Sequence, residues 1–262
     1  VKRLTLLGLV VLAIVVGSAV IGPAAMAAQN KDGLERIIFV HYPKNVKPDH
    51  PTPSGGKASL CPDASTCPDY KYSGYRWSAS NPSVQWAYDL SGVNGSTSGF
   101  AAAISAAFAT WDGWTKASLF GGGSSPSCVA GTKDGVNCVS WQNISSQYPH
   151  AIAVTFVWAN NRTKAIAEAD TVMNTGDGYT WDSTTPSSCS GDYCDPSNAG
   201  PSSSYDVQNI LTHEVGHWLM LNDLYTNQDV NLTMYGYGSK GELKKDTLGY
   251  GDVLGVQKIY GK

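Results

Sequence analysis

Apolar and polar positions divide this chain into stretches with different periods. Leu4 to Ile21 is a nearly unbroken apolar run behind Lys2 and Arg3. Glu35 to Tyr42 (ERIIFVHY) is a hydrophobic run in β-formers and predicts a strand. From Pro43 to Pro68 the chain is rich in Pro, Gly, Ser, Lys and Asp, which predicts an irregular loop. Val84-Gln85-Trp86-Ala87-Tyr88 alternates as a half-buried strand does. Phe100, Ile104, Phe108 and Trp111 recur at helical spacing in an Ala-rich stretch, so a long helix packed on a sheet is expected over Phe100 to Trp114. Residues 119–147 are glycine-rich and predict a loop region. Ala151 to Trp158 predicts a buried strand, and Ala165 to Asn174 a second, more polar one. After a loop from Tyr179 to Ser204, Ser203 with Asp206 three residues on reads as a capping box opening a helix. A final helix is expected from about Asp252 to Tyr260, and no internal repeat is present.

The helix opened by that cap carries Thr212-His213-Glu214-Val215-Gly216-His217. Positions four apart on a helix lie one above the other, so His213 and His217 can aim two imidazoles at one ion. Glu214, the next position round, can then reach a water on that ion. Zinc lowers the pKa of such a water to about 7, within reach of a carboxylate base. Histidine is scarce, five in the chain, and two of the five fall in this motif. His41, His50 and His150 lack ligand spacing and read as surface or core residues.

Composition sets the frame for this motif. With 262 residues, 42% apolar and only 15% charged, the chain is globular and long enough for one domain with a sizeable core. A formal net charge of −3 with scattered Lys and Arg gives no basic stripe, so nucleic acid is not an expected partner. Residues 1–28 read as a signal peptide, with Ala25-Met26-Ala27 as the cleavage site. The competing reading is an uncleaved N-terminal anchor, since the run is just long enough to span a membrane. Either way the rest is exported, and a secreted protein without further membrane attachment is expected.

The six cysteines fit export. They fall in three close pairs, Cys61 with Cys67, Cys128 with Cys138, and Cys189 with Cys194. Six cysteines allow fifteen connectivities, so the pairing stays open; nearest-neighbour disulfides stapling the loops are the simplest choice. None has the spacing of a structural zinc site.

The zinc helix, its continuation to Asp223 and the segment Leu232-Thr233-Met234-Tyr235 resemble a metzincin zinc metalloprotease, closest to bacterial matrixin-like enzymes. The likeness covers roughly residues 75–262 and includes Tyr75-Arg76-Trp77, the helix ending at Trp111 and the tail from Gly251 to Gly261. It implies an α+β catalytic domain with a twisted mixed β-sheet, a long packing helix, the zinc helix and a C-terminal helix. Residues 29–74 would be an N-terminal extension or short propeptide. By the same likeness His213, His217 and Asp223 hold one zinc, Glu214 is the catalytic base, and Met234 forms a turn beneath the metal. Glu242 is the alternative third ligand. Met220 stands where the family has a glycine that turns the chain sharply, so either the turn differs or a non-glycine residue bears it. The family's cysteine latency motif has no full counterpart around Cys61 or Cys67. Protein or peptide substrates are expected, pairing antiparallel with residues 165–174 as the edge strand of the cleft. A monomer is expected, and Asp170, Asp177 and Asp182 are candidates for a structural calcium. The other function class is a non-catalytic exported binding or adhesion module whose metal site is structural or degenerate.

Overall fold

The computed structural model describes residues 33–44, 46, 64–125, 127–184, 189–190, 193–194 and 199–262. The expected signal peptide, His50 and Cys61 lie outside these residues. The fold is α+β, a mixed sheet with three α-helices among the described residues. The strands are β1 (Leu34–Pro43), β2 (Val84–Asp89), β3 (Phe120–Ser124), β4 (Cys138–Gln142), β5 (Ala153–Asn160), β6 (Ile166–Asn174), β7 (Trp181–Asp182), β8 (Cys189–Ser190), β9 (Tyr193–Cys194), β10 (Tyr205–Asp206) and β11 (Tyr237–Gly238). The helices are α1 (Phe100–Asp112), α2 (Val207–Trp218) and α3 (Tyr250–Tyr260). No helix among the described residues is long and apolar enough to cross a membrane.

The main sheet has the order β11-β1-β5-β6-β4-β2-β3. β1, β5 and β6 run antiparallel to their neighbours in turn, whereas β6, β4, β2 and β3 are mutually parallel. Strand alternation sends side chains to two cores. On one face Ala153, Val157, Ala169 and Met173 meet the helices; on the other Val154, Phe156, Trp158 and Val172 lie under the loop bearing Cys128 and Cys138. Those two cysteines form a disulfide. Cys67 is also disulfide-bonded, and Cys189 and Cys194 are register partners in the β8–β9 hairpin.

Several expectations need correction. β3 and β4 lie inside what reads as a glycine-rich loop, because pairing with β2 recruits them despite weak local signals. Tyr75-Arg76-Trp77, an entry strand by the family likeness, is no full strand, because Arg76 makes only an isolated bridge to Ala165. Residues 165–174 are not an edge, since β6 is paired on both sides. The strand antiparallel to it, β5, faces the site, and β1 covers its outer edge. β1 therefore belongs to the same sheet as the elements beyond residue 75, across the boundary the sequence suggests.

α2 starts at Val207 rather than Ser203, because Asp206 is the cap: its Oδ1 accepts from the Asn209 amide at 2.7 Å. α1 packs beside it, and the Trp111 indole N–H donates to the Thr212 carbonyl at 2.8 Å. Trp218 at the end of α2 meets the edges of Phe108 and Phe120. These contacts leave the opposite side of α2 turned toward β5 and β1.

Candidate metal centre

α2 delivers His213, Glu214 and His217 to one place, all fully buried. Each metal-type imidazole is oriented through its Nδ1. His213 Nδ1 lies 2.7 Å from the Thr233 carbonyl, and His217 Nδ1 2.7 Å from the Leu221 carbonyl. A carbonyl only accepts, so both rings carry a proton on Nδ1, and in the neutral ring the lone pair is on Nε2. Burial also pushes His213 down to about 3, which keeps it neutral.

The chain then turns back sharply, and the turn has a definite construction. The Leu221 amide donates to the Gly216 carbonyl at 3.0 Å, and the Met220 amide to the His217 carbonyl at 2.8 Å. That is a Schellman closure with Met220 at the left-handed position, φ 65°. The turn is thus kept without glycine, at a cost of roughly 1–2 kcal/mol for an L-residue. Ser73 holds the Met220 carbonyl through both its amide, at 3.1 Å, and its hydroxyl, at 2.8 Å. Met220 is itself fully buried, which offsets the strain.

The turn brings Asp223 back over the helix. Its Oδ1 is 3.1 Å from His213 Nε2 and 3.4 Å from His217 Nε2. Oδ2 is engaged separately by the Tyr225 hydroxyl at 3.1 Å. Glu242, the alternative, is elsewhere: it pairs with Lys44 at 3.1 Å and Lys244 at 3.8 Å. The three atoms His213 Nε2, His217 Nε2 and Asp223 Oδ1 are buried without a hydrogen-bond partner. Buried polar atoms are rarely left so, and three that converge form a group that could hold a metal ion. Their mutual spacing suits one small ion, because donors held tetrahedrally at about 2.0–2.1 Å from zinc sit about 3.3 Å apart. Two imidazoles and one carboxylate are a zinc donor set with a position to spare.

Glu214 stands beside this set. Its Oε2 accepts from the Thr155 hydroxyl on β5 at 2.6 Å. Thr155 is 2.7 Å from the Thr171 hydroxyl, which accepts from the Trp218 indole at 2.9 Å. Because Thr155 gives its one hydroxyl proton to the carboxylate, it accepts from Thr171, and the chain of bonds runs one way from the indole to Glu214. Burial pushes Glu214 up to about 7, where a proton acceptor works at neutral pH.

Met234 lies against α2 from the turn below. A Cβ added to Gly216 would come within 2.2 Å of its sulfur, so only glycine at 216 lets the thioether approach. The turn is fixed from α3, where Asp252 accepts from the Thr233, Met234 and Gly249 amides at 2.8, 3.1 and 2.9 Å.

Two buried neighbours of this set escape sequence reasoning. His41, read as a plain surface or core histidine, is buried with Nδ1 3.0 Å from Glu214 Oε1 and its ring stacked on His213. Lys245 is buried as well; its Nζ donates to His41 Nε2 at 3.1 Å and to the Tyr235 carbonyl at 2.5 Å, and burial pulls it down to about 8. No local spacing announces either one. His150 is exposed, as expected. Asp170, Asp177 and Asp182 join no cluster of three ligand atoms within 4.8 Å among the described residues. Asp170 instead accepts from the Gly131 and Cys138 amides, and Asp177 from the Ser145 hydroxyl. No protein-family model matches the chain, and comparison with curated proteins finds no match either.

Proposed function

We propose that the chain is an exported zinc-dependent endopeptidase of the metzincin kind. The observation that carries this reading is the convergence of three partnerless buried donors beside a carboxylate held by a one-way hydrogen-bond chain. A purely structural metal site has no use for that fourth group.

His213, His217 and Asp223 would hold the zinc, which when bound supplies Lewis acidity toward a water and the scissile carbonyl. The remaining work belongs to the protein. Thr155 occupies Glu214 Oε2, so Oε1, which His41 holds at 3.0 Å, is the atom that would accept the proton of the attacking water once His41 is displaced, and return it to the leaving amine. The Thr233 and Leu221 carbonyls fix the Nδ1 proton of each imidazole and aim its Nε2. Met234 supports the floor and takes no part in proton movement.

Metal analysis combined with a cleavage assay tests this. About one zinc per chain is expected in the wild type, in Glu214→Ala and in Glu242→Ala, and none in Asp223→Ala. Phe39 and His41 cover the centre, so hydrolysis is also measured with both replaced by alanine. Adding Glu214→Ala to that background should cut hydrolysis by about 10²–10⁴-fold. Cleavage that survives it, or zinc lost from Glu242→Ala instead of Asp223→Ala, would overturn the assignment.

A further inference from the structure

We infer that residues 34–43 are an autoinhibitory strand, the chain's own occupant of the outer edge of β5. The inference rests on the protease reading of the centre. β1 pairs antiparallel with β5 from Leu34↔Asn160 to His41↔Ala153 without interruption. This is strand addition, in which main-chain bonds give affinity and alternate side chains give specificity. The alternate side chains here land on the chemistry. Phe39 lies flat on the His217 ring, centroids 4.1 Å apart at 6°, and His41 lies on His213 at 4.0 Å. His41 also holds Glu214 Oε1, the atom that a reacting water needs.

Three further features mark β1 as an occupant rather than a fixed part of the sheet. Of its ten residues only Glu35, Phe39 and His41 are buried, whereas β5 is buried along all but its last residue. Its outer neighbour β11 meets it at only two positions, Tyr42↔Tyr237 and Pro43↔Gly238. Among the described residues it also precedes every other element, so it can leave without unthreading any of their strands, and β5 stays paired with β6. While it stays, the base is engaged and both ligand rings are covered, so the intact chain is latent. Its side chains also describe the ligand: an extended peptide antiparallel to β5, with an aromatic residue over His217, two positions before the residue at Glu214.

The test uses the full chain with cobalt in place of zinc, because cobalt reports changes at the metal in its visible spectrum. Acetohydroxamate is the small probe and an unstructured peptide is the substrate. Wild type should show no spectral response to the probe and cleave at least about tenfold more slowly than Phe39→Ala/His41→Ala. A synthetic peptide spanning residues 33–44 should restore the block in the variant. Wild type that binds the probe and cleaves as fast as the variant overturns the inference. If the double variant does not fold, the wild type is nicked at a specific protease sequence inserted between Val46 and Ala64. Release of the strand with a gain of probe binding supports the inference; a nicked strand that stays bound on dilution, with no gain, overturns it. An opened chain that binds cobalt and probe yet cleaves nothing supports the occupant and rejects the protease reading.

Discussion

α2 and β1 both bring imidazoles to one spot, and they use them in opposite ways. His213 and His217 each spend one nitrogen on a backbone carbonyl and leave the other facing Asp223 without a partner. His41 spends both, one on Glu214 and one on Lys245. In the proposed reading the first arrangement keeps a lone pair in reserve for a cation. The second uses up everything it has, which suits a residue whose task is to cover. Proximity to a metal site is thus a poor guide to being a ligand; the unspent nitrogen is the better one.

Metal dependence of stability is the most severe way to break this comparison. A chelator should lower the Tm of wild type and His41→Ala alike, by the equivalent of about 2.7 kcal/mol where free zinc had been a hundredfold above its Kd. His213→Ala should show no chelator-dependent shift in a thermal scan. A His41→Ala protein that also loses the shift would make His41 a ligand and erase the distinction.

A smaller effect is expected behind the base. Thr155→Val removes the hydroxyl donor from Glu214 Oε2 and should lower kcat about tenfold, with KM and zinc content unchanged. Thr155→Ser should restore the rate. Steady-state kinetics in the Phe39→Ala/His41→Ala background checks both, and a fall in zinc content instead would reassign Thr155 to a structural role.

The smallest effect concerns the turn that returns Asp223 to the helix. Met220→Gly and Met220→Ala both lose a buried side chain, but only glycine relieves the positive φ. The glycine variant should therefore be the more stable of the two by about 1 kcal/mol in denaturant unfolding. The reverse order would mean that the left-handed turn is not the one present in solution.

What was legible in the sequence was what the chain does locally. The i, i+4 histidines, Glu214 between them and the return to Asp223 all lie within eleven residues, so helical geometry alone places most of the set. Long strands and both flanking helices were legible for the same reason. His41 was not, since 173 residues separate it from Glu214 and only sheet pairing unites them. The family likeness that made residues 165–174 an edge strand misled for a related reason. Glu168 and Asp170 look like solvent-facing residues, yet Glu168 accepts from the Asp134 and Gly135 amides inside the fold. Polar side chains that satisfy a neighbouring loop give a central strand the look of a rim. β3 and β4 hide behind glycine and serine, because their strand character comes from their neighbours.

Asp252 gives the closing helix a reach beyond its own packing. One carboxylate grips two successive amides of the methionine turn as well as the start of its own helix. The floor of the centre and α3 are in effect riveted together. A lesion in that rivet would loosen the cation's seat while every group around the ion stayed chemically whole, so damage remote from the reacting atoms would pass for a defect in them.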